Sequence, residues 1–286
     1  MLVIALAAMA AGVVCTRARA QAPAAQDSPA PSAAADSAAS TEGEGGREDY
    51  RWLLSDIAGY YTAPLHWDAR NWEYFGGTLA AIAAAHAFDG RVRRDFANGA
   101  SEAALAKNQS RYDLEDALPA AVLFGGTWLY SAVFDDENGR SATWAMAEAA
   151  GLSSATGFVL KFAAGRERPY ETTDSNRWGA GGSSFPSLHA TAAWAIGTVF
   201  AESGSGDYRW LTRFLGYGAA VATSYERLHH NAHWLSDVVA GAGLGASSAV
   251  YVLNRTYGRE DSGHAEFGVA PIAGGIMLTY SATPFR

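Results

Sequence analysis

Between Tyr74 and Arg255 the chain repeats one theme, an Ala-rich apolar segment of helical length closed by Gly, Asp, Asn or Pro. The segments are YFGGTLAAIAAAHAF, ALPAAVLFGGTWLYSAVF, SATWAMAEAAGLSSATGFVLKF, HATAAWAIGTVFAE, LGYGAAVATSYER and DVVAGAGLGASSAVYVLN. No alternating strand pattern of any length competes with them. The chain is therefore expected to be all-α, a compact helical bundle whose Ala and Gly content lets helices approach closely. The tail from Glu266 differs. Two short apolar runs flank Gly274-Gly275, which suits a small C-terminal β-hairpin.

Several of the helical runs carry no charge over a length near the lower limit for crossing a bilayer. Against spanning stand a chain-wide mean hydropathy close to zero, the Ser, Thr and Gly within the runs, and loops without a basic bias. A soluble exported domain with possible contact at a membrane surface is the expectation. Membrane-embedded helices are the alternative.

The amino terminus reads as a secretory signal over residues 1–20, an apolar run followed by the small-x-small triplet Ala18-Arg19-Ala20. Export, in a bacterial setting to the periplasm, follows. Removing that segment takes away Cys15, the only cysteine, so thiol chemistry is excluded from the mature chain. It also leaves 19 basic residues against 29 acidic ones, a net charge of −10 in place of −8. A chain this acidic is not a general binder of nucleic acid. Residues 21–46 lack aromatic and large aliphatic side chains and are expected to be a disordered tether. Residues 47–286 are expected to form a single catalytic domain, whose first part, through Trp72, reads as an amino-terminal cap without regular structure.

Three stretches carry chemistry. In KFAAGRERPY, Lys161, Arg166 and Arg168 gather at the end of an apolar helix that Pro169 cannot continue. In GGSSFPSLHATAAWAIG, glycines lead into Pro186-Ser187-Leu188-His189 at the start of a helix, where free N–H groups favour an anion. In SYERLHHNAHWLSDVVAG, Arg227, His229, His230, His233 and Asp237 are crowded together. If that stretch were one helix, His229, His233 and Asp237 would share a face, the spacing of a metal site. Ser187 as a plain helix cap and His189 as a core histidine are the structural alternatives.

Taken together, Lys161-x6-Arg168-Pro169, Pro186-Ser187-Leu188-His189 and Arg227-x5-His233-x3-Asp237 resemble, in order and internal spacing, the three-part signature of the type 2 phosphatidic acid phosphatase and vanadium haloperoxidase superfamily. The flanking helices look like its exported bacterial branch. The resemblance implies a helical bundle and a metal-independent phosphatase acting on phosphate monoesters or on lipid phosphates and diphosphates. It assigns Lys161, Arg168, Arg227, Ser187 and the N–H groups of Leu188 and His189 to the phosphoryl oxygens. It makes His233 the nucleophile, Asp237 its orienter, and His189 the acid that protonates the leaving oxygen and then activates water. No cofactor and no metal are implied, and vanadate is an expected inhibitor.

This chain departs from that signature twice. Leu188 stands where the family usually has Gly, adding bulk beside the anion, or else packing in the core. Glu226 replaces the usual Ser before Arg227, placing a negative charge near the cradle or in solvent. His229 and His230 lie outside the signature and are expected at a loop or pocket rim; Arg166 is given at most a secondary role. Two other functions stay open: a vanadium-dependent haloperoxidase using the same cradle, and a non-enzymatic metal- or anion-binding protein built on His229, His233 and Asp237.

Overall fold

The computed structural model describes residues 45–107, 109–204, 206–257, 265–272 and 275–282. The signal expected over residues 1–20 and nearly all of the tether expected over 21–46 lie outside these. The described helices are α1 (Gly45–Thr62), α2 (Ala69–His86), α3 (Asp89–Ala97), α4 (Glu102–Ala106), α5 (Gln109–Phe134), α6 (Glu137–Ala164), α7 (Leu188–Ser203), α8 (Arg209–His229) and α9 (Leu235–Tyr257). Strands β1 (Ala265–Ile272) and β2 (Gly275–Ala282) pair antiparallel, with Ile272 opposite Gly275.

The six Ala-rich segments form helices α2 and α5 through α9, the first running two residues past the end of α2 at His86. The stretch expected to be an irregular cap does not follow that reading. α1 and a short 3-10 turn (Ala63–His66) occupy most of it. Leu54, Ile57, Ala58 and Tyr61 recur at three- and four-residue steps there, a helical period that the surrounding Asp, Gly and Pro obscure. The chain divides into two compact units, with the boundary between Trp72 and Glu73. All three motifs belong to the second unit.

The core of that unit lies between α7, α8 and α9, with α2 and α3 closing one side. Trp194, Ala190 and Ala193 of α7 meet Ala220 and Leu228 of α8 and Leu235, Val238, Val239, Ala242 and Ala246 of α9. The indole N–H of Trp194 donates to Ser224 Oγ at 3.0 Å, so the largest core side chain leaves no buried donor unpaired. Small residues make the packing possible. A Cβ on Gly245 of α9 would stand 2.1 Å from the Thr191 carbonyl oxygen of α7, so the two backbones touch there. This contact brings the start of α7, which carries Ser187 and His189, against the start of α9, which carries Asp237.

α5 and α6 are different in kind. Among the described residues two helices are long and apolar enough to cross a bilayer, Tyr112–Phe134 and Leu235–Tyr257. The second is mostly buried in the core, as Ala- and Val-rich packing helices are, whereas the first has 11% of its apolar window buried. Val122, Val133 and Phe134 on α5, with Trp144, Val159 and Phe162 on α6, are exposed by about two thirds or more of their surface. Apolar surface of this extent marks contact with something other than water.

The α7–α9 contact yields a direct test. Gly245→Ala forces the two helices apart and is expected to lower the unfolding free energy by about 1–3 kcal/mol, the range for overpacking a close-packed interior. Chemical denaturation of parent and variant, read by circular dichroism, measures it. An unchanged midpoint would mean that the helices do not approach this closely.

Candidate active site

The first motif begins on α6 and continues beyond it. Gly165 ends the helix in the left-handed conformation (φ 53°), its N–H bonded to the Lys161 carbonyl at 3.0 Å, so the helix stops before Pro169 is reached. Lys161 lies in the last turn, while Arg166 and Arg168 follow in the loop. Backbone bonds from Ala180 and Gly182 to the Gly165 carbonyl, and from Ser184 to the Arg166 carbonyl, dock the glycine loop against this segment. The Lys161 ammonium donates to the carbonyls of Ser183 and Ser184. Burial and the neighbouring Arg168 lower its pKa to about 8.

The second motif opens α7. Ser187 is its N-cap, accepting from the Ala190 N–H, and its own N–H donates to the Asp237 carbonyl at 3.1 Å. The N–H groups of Leu188 and His189 belong to the first turn, where intrahelical partners are lacking. Leu188 does not crowd them. Its Cδ2 is 2.7 Å from where a Cβ on Gly157 of α6 would be, so the side chain fills the α6–α7 contact. The core alternative for Leu188 therefore holds over the pocket one. His189 Nε2 is 3.0 Å from the Asp113 carbonyl. A carbonyl only accepts, so Nε2 carries hydrogen and Nδ1 is the exchangeable position.

The third motif is not one helix. α8 ends at His229, Asn231 turns the chain at φ 51°, and α9 starts at Leu235. The expected shared face of His229, His233 and Asp237 does not form. His229 is half exposed, stacked on Tyr225 and set edge-on to Phe96, whereas His233 and Asp237 are buried. Trp234 caps α9 and its N–H donates to Asp237 Oδ2 at 2.9 Å, as an acidic third residue does in a capping box. His233 Nδ1 lies 3.6 Å from the same oxygen, just beyond hydrogen-bonding distance, and has no other partner among the described residues. Burial first, then Arg168, Arg227, Lys161 and His189, hold the His233 pKa well below its ordinary value. All five influences favour the neutral ring.

Arg227, in the last turn of α8, is buried. Its Nη1 bonds Asp113 and Asp116 of α5, each at 2.7 Å. Nε and Nη2 of Arg227, with Nε of Arg168, are buried with no hydrogen-bond partner among the described residues. Buried guanidinium donors without acceptors are costly, and an anion relieves that cost.

Reasoning from sequence missed the group on which Asp237 rests. Arg166, expected to be secondary, is fully buried. Its Nη1 donates to Asp237 Oδ1 at 2.5 Å and Ser236 Oγ at 2.8 Å; its Nη2 donates to Asp89 Oδ2 at 2.7 Å and the Ser175 carbonyl at 2.7 Å. Ser184 Oγ donates to Asp237 Oδ2 at 2.5 Å, and Ser236 closes the network by donating its N–H and hydroxyl to Asp89. The guanidinium is covered by Trp178 at 4.3 Å and Trp234 at 5.3 Å. Burial raises the Asp237 pKa, while Arg166 and the bonds from Ser184 and Trp234 oppose that shift. Asp89, Asp113 and Asp116 had one legible signal, acids adjoining strongly apolar helices, but nothing in sequence says that they meet these arginines.

Two variants test these placements. Arg166→Met strands two buried carboxylates and is expected to cost about 3–5 kcal/mol of stability, the range for removing one partner of a buried pair; urea denaturation reads it. Leu188→Gly is expected to cost about 2 kcal/mol or more through lost packing and added backbone freedom, while the kcat/KM ratio of bulky to small esters moves less than about twofold. A large selectivity change with unaltered stability would return Leu188 to the pocket.

Residues 142–261, which include all three motifs, match the PAP2 superfamily. A lipid A 1-phosphatase of Porphyromonas gingivalis is 33% identical over 112 residues, 37% of this chain and 23% of that protein. The chain thus matches under a quarter of that relative's length. No solved structure matches the chain significantly. With the motifs at the ends of packed helices and the match running through all of them, residues 142–261 of this chain constitute a PAP2 superfamily domain.

Proposed function

We propose that this chain is a phosphatase of lipid phosphates working at a membrane surface through a phosphohistidine. The observation that carries the proposal is the set of buried guanidinium N–H groups on Arg168 and Arg227 that lack acceptors. Their charges and that of Lys161 all act on one neutral imidazole, His233. A phosphoryl group supplies the missing acceptors and brings phosphorus to the nucleophile. The exposed apolar faces of α5 and α6 and the likeness to a lipid A 1-phosphatase support a lipid substrate.

In this mechanism the anion is held by Lys161, Arg168, Arg227 and the first-turn N–H groups of Leu188 and His189, with Ser187 anchoring that turn. Neutral His233 attacks phosphorus in line, and the P–O bond to the leaving group breaks as the P–N bond forms. His189, protonated at Nδ1, gives that proton to the departing oxygen and later accepts one from water as water attacks the phosphohistidine. Asp237, fixed by Arg166, Ser184 and Trp234, stabilises the positive charge that grows on the His233 ring. Closing the 3.6 Å gap to Nδ1 in the complex turns that stabilisation into a hydrogen bond. The three cations supply charge neutralisation without requiring a metal ion.

His233→Ala is expected to abolish steady turnover and acid-labile phosphate in rapidly quenched reactions, while Asp237→Asn slows turnover by about 100-fold or more, as loss of electrostatic support does. Label trapped on another residue would remove His233 from the role of nucleophile.

A pH test follows from Lys161. With its folded pKa lowered to about 8, the ammonium is charged below that pH and neutral above it. Inhibition by tungstate, whose own charge is constant between pH 7 and 10, is expected to weaken as pH rises through about 8. Lys161→Arg, which stays charged, is expected to flatten the profile. An equally steep profile in Lys161→Arg would assign the titration elsewhere.

A further inference from the structure

We propose that Glu226, His229 and His230 form a binding site for one divalent transition-metal ion of the zinc class, separate from the phosphate cradle. One ligand atom from each lies within 4.8 Å of the others. Glu226 Oε2 is 3.7 Å from both His229 Nδ1 and His230 Nε2. Tetrahedral zinc with bonds of ~2.0–2.1 Å needs neighbouring ligand atoms about 3.4 Å apart, so the two Glu226 distances need contraction by a few tenths of an ångström and the two imidazole nitrogens, within 4.8 Å of each other, by at most about 1.4 Å. Glu226 is 41% exposed and can make that adjustment.

The rings are held for the purpose by groups outside the cluster. His230 Nδ1 is 3.0 Å from Asp116 Oδ1, and a carboxylate only accepts, so Nδ1 carries the hydrogen. The lone pair is then on Nε2, the atom that faces Glu226. A carboxylate behind a histidine in this way is the usual outer support of a metal ligand. His230 also stacks on Tyr112 with ring centroids 3.9 Å apart and planes within 5°, and Tyr225 and Phe96 hold the His229 ring. Residues at i, i+3 and i+4 at the carboxyl end of α8 share a face. Two imidazoles and one carboxylate select zinc, cobalt, nickel or copper over magnesium or calcium, which prefer all-oxygen sites, and leave a fourth position for water. This is a different set from His229, His233 and Asp237, which the break at Asn231 separates.

The site is tested with the full chain, freed of metal by chelation and titrated with zinc chloride by calorimetry. Cobalt(II) serves as a second probe through its visible absorption. One zinc per chain is expected, with a tetrahedral cobalt spectrum. His229→Ala and Glu226→Gln are expected to weaken binding by tenfold or more, and Asp116→Asn by 10- to 100-fold, the range for outer-support residues. His233→Ala is expected to bind zinc as the parent does, and circular dichroism checks that each variant is folded. Absence of saturable binding up to millimolar zinc, equal binding by the His229→Ala and Glu226→Gln variants, or loss of binding in folded His233→Ala overturns the proposal.

Discussion

Arg166 is the interaction on which the rest of the site depends. It lies one residue past the cap of α6, yet its guanidinium reaches Asp89 at the start of α3 and Asp237 in the first turn of α9, both fully buried. Two carboxylates and one guanidinium do not neutralise one another fully, so the serine hydroxyls, backbone donors and carbonyls around them matter as much as the ion pairs. Each Asp237 oxygen is occupied from a fixed direction, which leaves the carboxylate no other rotamer and sets where His233 can stand. A positioning device of this kind is rigid because any one partner, removed, leaves a buried charge.

The same balance extends outward to the cradle. Arg227 is held by Asp113 and Asp116 through Nη1 alone, so α5 fixes the side chain while two of its nitrogens keep their hydrogen-bonding capacity. The Asp113 carbonyl, through His189 Nε2, fixes the second catalytic candidate from the same turn of the same helix. α5 therefore performs two tasks, supplying polar anchors at its amino end and an exposed apolar surface toward its carboxyl end. If that surface is in lipid, the anchors place the cradle close to the level at which a lipid phosphate is presented.

Several departures from expectation have one cause, that chain direction is set by local backbone choices that composition reports poorly. Asn231 in the left-handed region separates α8 from α9, and with that single turn a three-ligand helical face becomes a rim histidine and a buried nucleophile candidate. Leu188 was ambiguous because a residue at the start of a helix can face either the anion or the neighbouring helix. Gly157 on α6 supplies the hollow that decides it. Glu226, which the sequence leaves open between cradle and solvent, is partly exposed and has two imidazoles beside it.

Sequence by itself determined the helical class, the six helices that carry the unit, and the three motifs with the residues in them, because helical periodicity and short-range spacing are properties of neighbours along the chain. The tertiary structure alone decided that Arg166 reaches Asp89 and Asp237, that Asp113 and Asp116 stand behind Arg227 and His230, and that one apolar helix is core while another is surface. Those facts join residues 71 to 114 positions apart or compare two helices of similar composition. They depend on how helices pack, which Gly245 permits by a backbone contact and Gly157 by admitting the Leu188 side chain, and which no local pattern encodes.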